Sequence, residues 1–107
     1  MDVDSLRKLL GTPRDGALLR LALARLLAGR GECEEAMRHL QEAVSMEPGY
    51  TAAWKELGRL RLQAGQAAGA REAWTSGLDQ AVRNGDKQAE REITVFLRRL
   101  EKSTPSG

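Results

Sequence analysis

The chain has 107 residues, of which 41% are apolar, 30% charged and only 4% aromatic, which is enough core for one domain but a poor supply for strand-rich architectures. Its net charge is +2, with acidic residues interleaved throughout, so it lacks the dense basic patch of a protein that lives on phosphate contacts. A nucleic-acid partner is therefore not expected, while an acidic one is permitted. Alanine, leucine, arginine and glutamate dominate, all compatible with helix, and the first expectation is a single all-α domain over residues 1–107.

The N-terminus, Met1-Asp2-Val3-Asp4, lacks the basic start and apolar run of a signal peptide. No apolar stretch approaches the roughly 18 residues that span a bilayer, so no membrane partner is expected. Cys33 is the single cysteine, which rules out an intrachain disulfide. These features make a cytoplasmic protein the expectation. Val3, Leu6, Leu9 and Leu10 predict a short amphipathic helix over 3–10, ended by Gly11. Thr12-Pro13 is expected to cap the helix that follows, proline being tolerated in a first turn.

From residue 17 onward the chain repeats. A shift of 34 residues aligns 17–50 with 51–84, placing Leu23 on Leu57, Arg25 on Arg59, Leu26 on Leu60, Gly31 on Gly65 and Ala36 on Ala70. In the first unit Leu23, Ala24 and Leu27 form one apolar face, Gly31 ends that helix, and Ala36, Leu40, Ala43 and Val44 form the stripe of a second. Pro48-Gly49 stops the second helix. In the second unit Trp54, Leu57, Gly58 and Arg61 share a face, and Gly65 accepts the left-handed turn. Ala70, Trp74, Gly77, Leu78 and Ala81 then form the next stripe. The small residues Gly58 and Ala70 let the two helices approach closely.

The last segment opens with Asn84-Gly85-Asp86, a turn with Asp86 as N-cap. Ala89, Ile93, Phe96, Leu97 and Leu100 give an apolar stripe over a helix 86–102, with Glu90, Arg91, Thr94, Arg98 and Glu101 opposite. A strict 34-residue register would instead turn Gln88, Arg91, Glu92 and Val95 inward. A gain of one residue near Asn84-Gly85 restores the stripe. The tail 103–107 is expected to be disordered.

These positions resemble the signature of the tetratricopeptide repeat. Trp54, Leu57, Gly58, Ala70 and Trp74 meet it in the second unit, and Ala24, Ala36, Leu40, Ala43 and Pro48 in the first. Arg20 replaces the tryptophan, Arg61 the tyrosine, Gly77 a later alanine and Val82 the proline. The chain also resembles short two-repeat proteins of Gram-negative bacteria, which end in a similar helix to Gly85-Asp86-Lys87-Gln88-Ala89 and Val95–Leu100. The resemblance implies two stacked helical hairpins, a short N-terminal helix and a C-terminal capping helix. It also implies a concave surface, lined by the first helix of each hairpin, that binds a protein or peptide.

Residues one position beyond the packed stripe are expected to face that groove: Leu21, Arg25 and Ala28 from the first unit, Lys55, Arg59 and Leu62 from the second. Lys55 and Arg59 are like charges four apart, and Arg25 is expected about 10 Å from Arg59 on the adjacent helix. The cluster suits a partner of acidic character, against the blander reading of a solvated basic face. Lys55 and Arg59 are loosely similar to the Lys-x3-Arg part of the carboxylate-gripping grooves of chaperone-binding members, whose asparagines are missing here. A self-associating structural protein is the other class, using Val95 and the N-terminal helix, so the expected state is a monomer or weak homodimer.

Nothing in the chain supplies a phosphate loop or a metal-ligand set, so no cofactor, metal or catalytic residue is expected. Cys33 lies near a helix start but is flanked by Glu32, Glu34 and Glu35, which disfavour a thiolate. His39 sits four residues after Glu35, as a solvated surface pair would. Trp54 and Trp74 fall on apolar stripes and read as core, with Trp54 the better placed to touch a partner.

Overall fold

A computed structural model describes residues 2–103, which form six helices: α1 (Val3–Arg7), α2 (Ala17–Gly29), α3 (Cys33–Met46), α4 (Thr51–Gln63), α5 (Ala67–Asn84) and α6 (Lys87–Ser103). Among the described residues there is no strand. α2 with α3 and α4 with α5 make two antiparallel hairpins, α3 joins the first to the second, and α6 closes against α5. The body is slab-like, 45 × 31 × 19 Å.

The hairpin turns repeat in detail. After α2, Gly31 N–H donates to the Ala28 carbonyl and Glu32 N–H to that of Leu27. One repeat later Gly65 and Gln66 do the same to Leu62 and Arg61, and after α5 Gly85 and Asp86 do so to Val82 and Ala81. Each closure satisfies end carbonyls that the helix cannot, and requires left-handed backbone at the glycine, with φ of 80°, 79° and 69° at Gly31, Gly65 and Gly85. Asp86 is the N-cap of α6, its Oδ1 accepting from Ala89 N–H at 3.0 Å.

The register before α6 slips by two residues, not one. α4 begins at Thr51 and α6 at Lys87, 36 residues later, and the buried residues follow the same offset, Ala53 to Ala89 and Leu57 to Ile93. The reason is the Pro48 position: Val82 replaces it, keeps its N–H, and α5 continues to Asn84 before Gly85 turns the chain. Ser103 is the last residue of α6, one beyond the expected end of that helix, and the rest of the expected tail, 104–107, lies outside the described residues.

The core has two parts. Leu23, Leu27, Leu40, Leu57 and Leu60 are fully buried between α2, α3 and α4, joined by Val3 and Leu6 of α1. Trp74, Ile93 and Leu100 anchor the second part, where the Trp74 and Phe96 rings tilt against each other at 5.2 Å.

The N-terminal end departs from the sequence reading in three ways. The first helix ends at Arg7 rather than running to Leu10, the chain turning over 8–10. Thr12-Pro13 does not cap α2, which starts at Ala17 behind Gly16. Thr12 Oγ1 instead donates to the Leu9 carbonyl and accepts from Arg14 N–H, shaping the connecting turn. His39 is not solvated: it is 8% exposed and sits mid-chain in a polar network. Arg7 Nη2 and Nε donate to Glu35 at 2.6 and 3.2 Å, and His39 Nε2 meets Glu35 Oε2 at 3.1 Å. Arg20 Nη1 lies 3.2 Å from His39 Nδ1, while its Nε and Nη2 grip both Asp15 oxygens at 3.0 and 2.8 Å. A guanidinium only donates, so Nδ1 accepts and Nε2 carries the ring proton toward Glu35. Arg20 stands where Trp54 stands 34 residues later, and it replaces apolar packing with this network, which ties α1, the turn, α2 and α3 together.

Candidate partner-binding groove

The first helices of the hairpins lie side by side, α2 against α4 and α4 against α6. Trp74 holds α5 beneath α4, its Nε1 donating to the Lys55 carbonyl at 3.2 Å. The close approach depends on Gly58, where a Cβ would stand 2.1 Å from Trp74 Nε1. Trp54 is half-buried, donates from Nε1 to the Pro48 carbonyl at 2.7 Å and packs its Cβ over Gly77. Its polar tip is thus engaged within the chain.

The expected groove residues separate into three kinds. Leu21 does not line the groove: it is 2% exposed and lies in the core cluster with Ala53 and Leu57. The packed stripe of α2 is wider than Leu23, Ala24 and Leu27, taking in Ala17 and Leu21 as well. Ala28 is half-buried. Leu62 is 42% exposed and Arg25 is exposed on the helix surface.

The three cations are not equivalent. Lys55 reaches across to α6, its Nζ 2.7 Å from Glu92 Oε2. That bond, with a second from Gln88, holds the Glu92 carboxyl below its ordinary range. Arg59 is 3.4 Å from Glu56 one turn back and largely open to solvent. Arg25 makes no ion pair with any described residue, and α2 contains no acidic residue at all. The Glu56–Arg59 spacing was readable in the sequence as an i, i+3 pair. The Lys55–Glu92 contact joins residues 37 apart and depends on how α6 docks.

Among the described residues, no three of His, Cys, Asp or Glu come together as a metal site. Among the same residues, no helix is long and apolar enough to cross a membrane. Cys33 is half-buried at the start of α3.

Comparison with known proteins agrees with this geometry. The tetratricopeptide-repeat profile matches residues 17–60. A TPR repeat-containing protein of Pseudomonas aeruginosa is 48% identical over 103 residues, covering 96% of this chain and 98% of its own. A Bordetella parapertussis protein of known solution structure is 40% identical with a TM-score of 0.79, over 94% of this chain and 87% of that one. A tetratricopeptide repeat domain protein from Salinibacter ruber shares the fold at a TM-score of 0.83 and 21% identity, covering 89% of this chain and 95% of that one. On the register, the paired hairpins and these relatives, the chain belongs to the tetratricopeptide-repeat proteins, whose members generally serve as protein-interaction modules rather than catalysts.

Proposed function

We propose that the protein is an interaction adaptor that takes a short peptide segment of acidic character in the groove formed by α2, α4 and α6. The observation that carries this reading is Arg25, an exposed guanidinium with no counter-ion among the described residues, on a helix without a single carboxylate. A partner carboxylate would give it the charge-assisted hydrogen bonds it lacks. Arg59, 56% exposed on its side chain, can exchange Glu56 for a partner, and Leu62 supplies apolar contact beside it. Lys55 contributes less, because Glu92 already neutralises it.

The test uses peptides selected from a displayed library of random dodecamers and titrated against the protein. Affinity should fall as salt rises, since exposed charges are screened over about 8–10 Å. It should also fall when Arg25, Lys55 and Arg59 are all changed to alanine. Undiminished affinity in that triple variant removes the groove assignment.

Self-association through the ends of the repeat is the second reading, favoured by exposed Val95 on α6. Arg91 and Arg98 flank that valine on the same face, so two copies meeting there would bring like charges together. Sedimentation velocity across a range of concentrations distinguishes the two.

A further inference from the structure

In a stacked array the outer face of a first helix is covered by the preceding hairpin. Here α1 occupies that place with five residues, inserting Val3 and Leu6 but covering only part of α2. Beside it lies an open cleft of about 590 Å³ lined by Leu6, Leu9, Ala17, Leu18, Leu19 and Ala22. Leu18 is 72% exposed, the most open of the large apolar side chains among the described residues. Arg14 and Glu47 are the cleft's charged lining residues and offset each other.

The cleft does not stand alone. Leu18, Ala22 and Arg25 follow i, i+4, i+7 spacing, so they share one face of α2, and Leu26, 38% exposed, adjoins them. The apolar floor of the cleft therefore runs directly to the Arg25 guanidinium, which has no ion pair among the described residues, about 10 Å along the helix axis from Leu18.

We infer that this face is a two-point docking surface for a partner segment. The segment places a large apolar side chain in the cleft against Leu9 and Leu18, and a carboxylate on Arg25. Such a segment carries its acidic residue seven positions from the apolar anchor if helical, or about three if extended, given the rise per residue of each form. Charge decides against a symmetric α2-to-α2 contact with a second copy of this chain. α2 has no acidic residue, so an α2-to-α2 contact would bury two Arg25 side chains with no counter-ion. The inference rests on the groove reading in one respect, that Arg25 meets a partner carboxylate. It moves the apolar anchor from Leu62 to the α1–α2 cleft.

The experiment titrates fluorescein-labelled dodecamers, selected from a displayed random library, against the wild-type chain and the variants Leu18→Asp, Arg25→Glu and Arg59→Ala/Leu62→Ala. Leu18 and Arg25 are exposed, and circular dichroism checks that each variant keeps its helices. The expected result is enrichment of peptides with an apolar and an acidic residue at one of the two spacings. Leu18→Asp and Arg25→Glu should each weaken binding tenfold or more, since one buried apolar side chain or one charge-assisted contact is worth at least a factor of that order. A peptide with lysine in place of its acid should regain affinity for Arg25→Glu. Binding lost in Arg59→Ala/Leu62→Ala but intact in Leu18→Asp overturns the cleft and leaves the groove reading standing. Enrichment of nothing, or of basic peptides, overturns both. A dimer that Leu18→Asp dissolves makes a second copy the occupant and overturns the inference.

Discussion

The indole of Trp74 lies directly against Gly58: a Cβ built on that glycine would stand 2.1 Å from Nε1 and 2.5 Å from Cδ1. The contact is how a 13-residue α4 and an 18-residue α5 come close enough to share one core. Trp74 is held in place, because the Phe96 ring tilts against it at 5.2 Å and its Nε1 is bonded to the Lys55 carbonyl.

Gly58→Ala should therefore destabilise the protein by about 2–3 kcal/mol, the overpacking cost exceeding the helix propensity that alanine gains. Gly29→Ala is the contrasting case, since a Cβ there meets nothing within 4 Å and the residue is helical. It should stabilise by about 0.5 kcal/mol. Urea denaturation of the two variants beside the wild type reads both signs.

Acid should loosen the N-terminal end in a defined window. Arg20 and the Gly11 N–H hold the Asp15 carboxyl at about 2, against an ordinary 3.8. Arg7 and then His39 hold Glu35 at about 2, against 4.5. Both folded values lie below the unfolded ones, so the unfolded chain binds more protons in this range and stability rises with pH. The contribution is complete above about pH 4.5 and is lost as the pH falls toward about 2. Thermal melts between pH 2 and pH 7 should show this acid limb, and Asp15→Asn with Glu35→Gln should flatten it.

Glu92 should act as a built-in competitor for Lys55. Glu92→Gln removes an ion pair whose partners are both partly exposed, so it should cost at most about 1 kcal/mol of stability. It also frees the Lys55 ammonium, and affinity for an acidic peptide should rise about threefold at low salt and less at high salt. Fluorescence anisotropy at two salt concentrations, paired with melts, separates the two effects.

Much of this architecture was legible in the residue pattern. The 34-residue period, Gly31 and Gly65 as turn closures, Asp86 as an N-cap and the α6 stripe are all local matters of periodicity, backbone freedom and capping. The sequence therefore determined the six-helix order and most of the apolar stripes that turn inward. Its limits lie where a decision depends on docking. The two-residue slip before α6 follows from how far α5 runs without a proline, and only burial of Ala89 and Ile93 shows the offset. Leu21 looked like a groove residue from its spacing, but it is buried in the same core cluster as Val3, Leu6, Ala53 and Leu57. His39 looked like a surface group, yet tertiary contacts join it through Glu35 to Arg7 and through Arg20 to Asp15, from separate elements. The charge of the groove was decided in the same way. Three cations are visible in the sequence, but Lys55 is neutralised by a residue 37 positions away, Arg59 by its neighbour Glu56, and Arg25 is left without a counter-ion among the described residues. Helical spacing acts over a turn or two and can be read along the chain, whereas pairing between distant side chains exists only once the helices have packed.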